Sequence, residues 1–166
     1  LAVTCLLISA ISAERLTALA SLARSEARQR SIFETASAGI ALENMALAHL
    51  QMGERDACIE MAKRGLSVAR ELCDEERILS LRLVIVECGL PTQASRLVAE
   101  ADEIVAEMAS GKCRSEFPRA LRIRAMCHLA MGNRAETMRG VDAALREARQ
   151  QGNRVELGRI VGLQRA

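Results

Sequence analysis

The chain has 166 residues, a formal net charge of +2 and six cysteines, and half of it is hydrophobic although only 1% is aromatic. That length buries a core without staples, and cysteines with no C-x-x-C pair and no histidine at zinc-ligand spacing argue against a disulfide framework or a zinc domain. With Trp and Tyr absent and Pro only at 91 and 118, the composition points to helices packed through Leu, Ile, Val, Met and Ala.

The opening run, from Leu1 to Ile11, resembles the apolar stretch of a signal peptide, with Ser12-Ala13 where a cleavage site would end. It has no initiator Met and no basic leader, and it falls short of the roughly 20 residues that span a bilayer. We read it as a buried helix of a truncated repeat in a piece of a longer chain. Leu16, Leu19, Leu22 and Ala23 predict a second helix over about 13–30. Ser31-Ile32-Phe33-Glu34 has the form of a capping box, so a third helix is expected to start there and run to about Gln51. Gly53 suits the left-handed turn that ends it.

About Arg55–Cys73 returns, with Ile59, Ala62, Leu66 and Ala69 on one stripe. So short a connection makes the two an antiparallel hairpin. Asp74-Glu75-Glu76 opens the next helix, where carboxylates complement the macrodipole. Ile78, Leu81, Leu83, Val84, Ile85 and Val86 are apolar nearly all round, as in a helix covered on more than one side. A β-strand over Leu83–Val86 has no partner strand elsewhere and is set aside. Gly89-Leu90-Pro91-Thr92 is a predicted break, and about Gln93–Ala109 returns with Leu97, Val98, Ala101, Ile104, Val105 and Met108. After Ser110-Gly111-Lys112, Pro118 suits a first helical turn and Gly132 ends that helix. Asn133 with Glu136 caps a helix to about Gln150, and Asn153 with Glu156 caps a terminal helix to Ala166, giving about nine helices.

Two stretches, Ala41–Glu71 and Ala120–Gln150, match at an offset of 79 positions. Identical pairs include Ala41/Ala120, Leu42/Leu121, Ala46/Ala125, His49/His128, Leu50/Leu129, Met52/Met131, Gly53/Gly132, Arg55/Arg134 and Leu66/Leu145. The inter-helix glycines 53, 89 and 132 are 36 and 43 apart, a mean of half that offset. Self-similarity at fixed spacing implies stacked supersecondary units. The expected organisation is one repeat domain over 1–166: a partial unit at 1–30, units at about 31–73, 74–110 and 114–151, and a terminal helix at 153–166.

Around Gly53, Leu42, Met45 and Ala46 precede the turn and Cys58, Ala62, Gly65 and Leu66 follow it. Leu121, Ala125, Val141, Ala144 and Leu145 do the same around Gly132, and Ile78, Ala94, Val98 and Ala101 match less closely in the middle unit. This pattern over about Phe33–Gln150 resembles the tetratricopeptide repeat, in a long, aromatic-poor form with His49 and His128 where that family has a tyrosine. The resemblance implies an all-α, right-handed α-solenoid of helical hairpins. It also implies a regulatory or scaffolding part of a multi-domain bacterial protein such as an ATP-dependent transcription activator or a nucleotide cyclase. Carried over residue by residue, the family's concave groove falls on Glu43, Leu47, Leu50 and Gln51, then Leu79, Leu83, Val86 and Glu87, then Arg122, Met126, Leu129 and Ala130. An apolar strip along Leu47, Leu83 and Met126 would suit an amphipathic helix or an extended peptide. A flanking helix, or further repeats of the parent chain, covering that strip is the alternative.

No phosphate loop, nucleophile motif or metal constellation is present in the sequence. Equivalent positions two units apart are separated by roughly 20 Å at about 10 Å per layer, so His49 and His128 are expected as separate packing residues. Most cysteines fall in apolar helical pattern as small core residues, consistent with a reducing cytoplasm. Residues 1–111 carry 11 basic and 16 acidic side chains, net −5, and residues 112–166 carry 12 and 5, net +7. Without interleaved aromatics the basic end reads as a solvated face rather than a nucleic-acid surface. The expectation is therefore a cytoplasmic, non-enzymatic interaction module that takes no cofactor or metal. Its partner would be a peptide or another domain, with no nucleic acid and no membrane involved. A small-molecule sensor held between repeats, and self-association through Leu1–Ile11, are the other readings. The oligomeric state stays open.

Overall fold

The computed structural model describes residues 2–111 and 113–164, with side chains over 19–90, 92–111 and 113–163. Among these residues it is all-helical, with α1 (Ala2–Met52), α2 (Arg55–Glu71), α3 (Glu75–Ala109), a 3-10 turn (Arg114–Glu116), α4 (Phe117–Ala130), α5 (Arg134–Gln150) and α6 (Arg154–Gln164). Six α-helices replace the nine expected. The chain divides into two compact units, Leu1–Ala38 and Gly39–Ala166.

The first unit is helical throughout its described residues, and the break expected at Ser31 does not occur. Ser31 instead accepts a hydrogen bond from Thr35 Oγ1 through its carbonyl, 2.8 Å away, inside α1. No Gly or Pro lies between Ala13 and Ala38, so nothing stops the helix, and a Ser-x-x-Glu spacing fits a helix interior as well as a start. Leu19, Leu22, Ile32 and Phe33 are exposed, Phe33 to 75%. The apolar run Leu1–Ile11 and Cys5, whose packing the sequence raised, lie outside the residues with described side chains.

The second unit begins with the matched turns. Gly53 and Gly132 have φ of +78° and +75°. Glu54 N–H bonds the His49 carbonyl and Asn133 N–H the His128 carbonyl, each at 2.9 Å. Gly53 and Gly132 N–H bond the carbonyls of Leu50 and Leu129 at 3.2 and 2.9 Å. These paired bonds form a Schellman motif, made twice. A Cβ on Gly140 would lie 2.9 Å from Ala125 Cβ. These residues flank the Gly132 turn almost symmetrically, which brings α4 and α5 together as a close antiparallel hairpin. Ala46, Cys58 and Ala62 join the last turns of α1 to α2 in the same way.

The predicted break in the middle unit is a fold-back within α3. Gln93 leaves helical geometry with φ −136° and ψ +24°. A Cβ on Gly89 would sit 2.6 Å from Leu97 Cδ1, so the two arms nearly touch. Arg82 on the outgoing arm bonds Glu100 and Glu107 on the returning arm, both at 2.6 Å. The outgoing arm is covered on two sides, as its all-round apolarity predicts. Leu81, Val84 and Cys88 pack with α2, while Leu79, Leu83, Val86 and Leu90 pack with the returning arm, α4 and α5. Burying each such leucine stabilises by about 2 kcal/mol. Packing then follows chain order, with α3 on α2, α4 on α3, α5 on α4, and α6 on both α5 and α4.

A second matched pair of turns was not apparent from residue identities. Cys73 and Gly152 are 79 positions apart, and both have positive φ, +53° and +66°. Asp74 N–H bonds the Ala69 carbonyl and Asn153 N–H the Ala148 carbonyl, both at 2.9 Å. Cysteine is strained there, because left-handed backbone costs a residue with a Cβ about 1 kcal/mol. Cys73→Gly, at an exposed position, is predicted to raise the melting temperature by roughly 2–4 °C. Gly152→Ala should lower it. Calorimetry showing no gain at position 73 would contradict the equivalence of the two turns.

Candidate interaction cleft

Within the second unit a cleft of about 360 Å³ is bounded by Leu47, Leu50 and Gln51 of α1 and by Val155 and Arg159 of α6. Glu87 of α3, Glu116 of the 3-10 turn and Arg119 of α4 line its floor, with Asn153 and Glu156. Local capping positions the α6 side: Asn153 Oδ1 accepts from the Glu156 N–H at 3.1 Å and starts the helix that carries Val155 and Arg159.

The floor is a continuous chain of ion pairs. Arg119 donates to Glu87 Oε2 through Nη2 at 2.8 Å and to Glu116 through Nη1 at 3.1 Å. Arg122 donates to Glu87 Oε1 through Nη2 at 2.9 Å and to Glu156 Oε2 through Nε at 2.8 Å. Its third edge meets the Met126 sulfur at 3.2 Å. Arg159 closes the series on Glu156 Oε1 at 2.9 Å. Arg119, Arg122 and Glu156 are buried and Glu87 is nearly so, but three guanidinium groups offset three carboxylates. Buried charge is tolerated when it is paired in this way.

Burial alone pushes the Glu87 carboxyl up, yet the charges and hydrogen bonds of Arg119 and Arg122 outweigh it and hold the group below its ordinary range. Burial likewise pulls down Arg119 and Arg122, and their carboxylate partners carry them above the usual arginine value.

The groove positions carried over from the repeat resemblance do not form one surface. Leu47, Leu50, Gln51 and Glu87 meet in the cleft. Leu79, Leu83 and Val86 are core residues, Leu83 with 0% exposure, so the expected apolar strip through Leu83 does not exist. An outgoing arm with a returning arm and α2 on either side has no free apolar face there. Arg122 lies under the cleft in the ion chain, and Met126 packs on the core. Glu43 faces a different hollow, bonded to Arg77 at 2.7 Å and Ser80 at 2.6 Å. Leu129 lines a separate pocket beside Met138, and Ala130 is exposed at the end of α4.

The sequence reading missed Glu116, Arg119, Asn153, Val155, Glu156 and Arg159. Arg119 and Arg122 lie three residues apart on one helix, on the same side of it, the one local signal of a charged floor. The two histidines have different roles. His49 Nδ1 pairs with Glu54 at 2.6 Å, while Asn133, in Glu54's equivalent position, caps α5 and leaves the buried His128 Nδ1 without a partner. Among the described residues no group of three His, Cys, Asp or Glu side chains is placed to hold a metal ion. No described helix is long and apolar enough to cross a membrane. Cys58, Cys88, Cys113 and Cys127 are buried free thiols, and burial, with Cys58 beside it, pushes the Cys88 thiol to about 12.

Chemically, the cleft offers an apolar shelf of Leu47, Leu50 and Val155 above a charge-neutral floor, suited to holding a chain by contact and hydrogen bonds. Glu87 sets its acid stability. The folded value lies below the ordinary 4.5, so this carboxylate's contribution is complete above that pH and is lost as pH falls through the folded value. Glu87→Gln leaves two buried guanidinium groups short of a partner and is predicted to cost about 3 kcal/mol near neutral pH. It should also flatten the fall in melting temperature between roughly pH 5 and pH 2. Melting curves identical to the parent's across that range would refute the role of Glu87.

No protein-family model, curated protein or solved structure matches this chain.

Proposed function

We propose that the second unit is a non-enzymatic protein-interaction module, a right-handed solenoid of tetratricopeptide-like hairpins serving as the regulatory part of a larger bacterial signalling or transcription-regulating protein. Its ligand is an extended peptide or a partner segment lying in the cleft between α1 and α6. The observation that carries this reading is the lining of that cleft: an apolar shelf beside Gln51 and Arg159, over a floor whose every charge is paired. A floor of this kind is preorganised. It presents fixed dipoles to a peptide backbone and asks no further desolvation of a bare charge. The repeated turns and hairpins support the solenoid part of the reading.

Selection of a random 12-residue peptide library on the immobilised protein tests this. Enriched peptides are predicted to lose at least tenfold in affinity, about 1.4 kcal/mol, on the double variant Gln51→Glu, Val155→Glu. Both positions are exposed, Val155 to 67%, so helicity and melting should hold. Enriched peptides that bind this variant as tightly as the parent would reject the cleft.

A further inference from the structure

A hollow of about 550 Å³ lies between α2 and the two arms of α3, and every residue that lines it falls between Leu66 and Glu100. The outgoing arm supplies the floor, with Ile78, Ile85 and Val86, while Leu66 of α2 and Leu97 of the returning arm stand on either side. Ile78, Ile85 and Leu97 are only part-buried, because the hollow leaves one side of each open. From Ile78 to Val86 the floor advances eight residues along a helix, about 12 Å. A space of this volume is in the range of a small-molecule site and well beyond a packing void.

Four charged residues surround it, and two of them hold each other. Arg82 Nε donates to Glu100 at 2.6 Å, and its other edges are taken by Glu107 and Glu103 at 2.6 and 3.2 Å. The remaining two, Arg70 and Arg96, are exposed and make no ion pair among the described residues. Arg70 precedes by three residues the turn at Cys73 that joins α2 to α3, and Arg96 follows by three the fold-back at Gln93. The outgoing arm runs between those two bends. Two free guanidinium groups therefore mark opposite ends of one apolar floor.

That arrangement selects a ligand. With Arg82 and Glu100 turned to each other, the stretch between the free arginines is apolar. A peptide backbone laid along it would lose water from its N–H and C=O groups without replacement, whereas a polymethylene chain has no such groups to desolvate. We propose that the hollow binds a straight-chain aliphatic dicarboxylate, its methylene chain along Ile78, Ile85 and Leu97 and its two carboxylates on Arg70 and Arg96. A floor of about 12 Å takes roughly ten methylene groups in extended form, the chain of dodecanedioate. This site is separate from the cleft between α1 and α6 and does not rest on the reading of that cleft.

Calorimetric titration of the full chain with dodecanedioate tests it, together with spectra of the isoleucine δ1 methyl groups. One-to-one binding is expected, with the Ile78 and Ile85 methyls shifting and those of the buried Ile123 and Ile160 unmoved. Octanedioate, four methylenes shorter, should bind roughly tenfold or more weakly. Dodecanoate, held below its micelle concentration, should bind roughly fivefold or more weakly because one arginine goes unused. Arg70→Gln and Arg96→Gln, both at exposed positions, should keep helicity and each reduce dodecanedioate to the affinity of dodecanoate. The cleft variant Val155→Glu should bind dodecanedioate as the parent does, so failure of the cleft reading and failure of this one separate. The proposal is overturned by the absence of saturable binding, or by shifts that spare Ile78 and Ile85. Dodecanoate binding the parent as tightly as dodecanedioate would overturn it too, as would unchanged affinity in either folded arginine variant.

Discussion

One ion pair, made twice with its signs exchanged, underlies the arrangement of the second unit. Glu43 of α1 holds Arg77 of α3 at 2.7 Å, and Arg122 of α4 holds Glu156 of α6 at 2.8 Å. Glu43 and Arg122 are 79 positions apart, and so are Arg77 and Glu156. The same two repeat positions therefore meet in both copies, joining the first helix of one hairpin to the first helix of the next. The interior requires that charge there sum to zero, and either order of signs satisfies it. Apolar packing sets how closely helices approach, but Ala and Leu faces tolerate sliding; a directional, charge-assisted contact fixes the register.

The cleft inherits its form from that contact. In the second copy Glu87 is added to the pair, drawing Arg119 beside Arg122 and continuing through Glu116 and Arg159. The floor is therefore rigid and neutral, and the apolar shelf of Leu47, Leu50 and Val155 is supported by it.

What was legible in the sequence was local. Asp74, Asn133 and Asn153 cap the helices they were expected to cap, each accepting from an N–H three residues on. Gly53 and Gly132 end helices because the left-handed turn is cheapest for glycine. Ser31 misled because a capping box is a sufficient pattern only where something else stops the preceding helix, and nothing does. Leu79, Leu83 and Val86 were placed in a groove by resemblance, while the all-round apolarity of their helix already argued for burial. Pairs such as Glu87 with Arg119 lie 32 residues apart and have no local signature. The offset of 79 carried more than its identities: the opposite signs at Glu43/Arg122 and at Arg77/Glu156 were a contact written in the sequence, visible once both copies are aligned.

The most direct measurement grafts the second copy's charges onto the first. Glu43→Arg alone sets two cations together in a half-buried site and is predicted to cost about 3 kcal/mol. Adding Arg77→Glu and Asp74→Asn reproduces the Arg122, Glu156 and Asn153 arrangement and should return stability to within roughly 1 kcal/mol of the parent in denaturant titration. A triple variant no more stable than Glu43→Arg would show that the two copies do not set the same positions against each other.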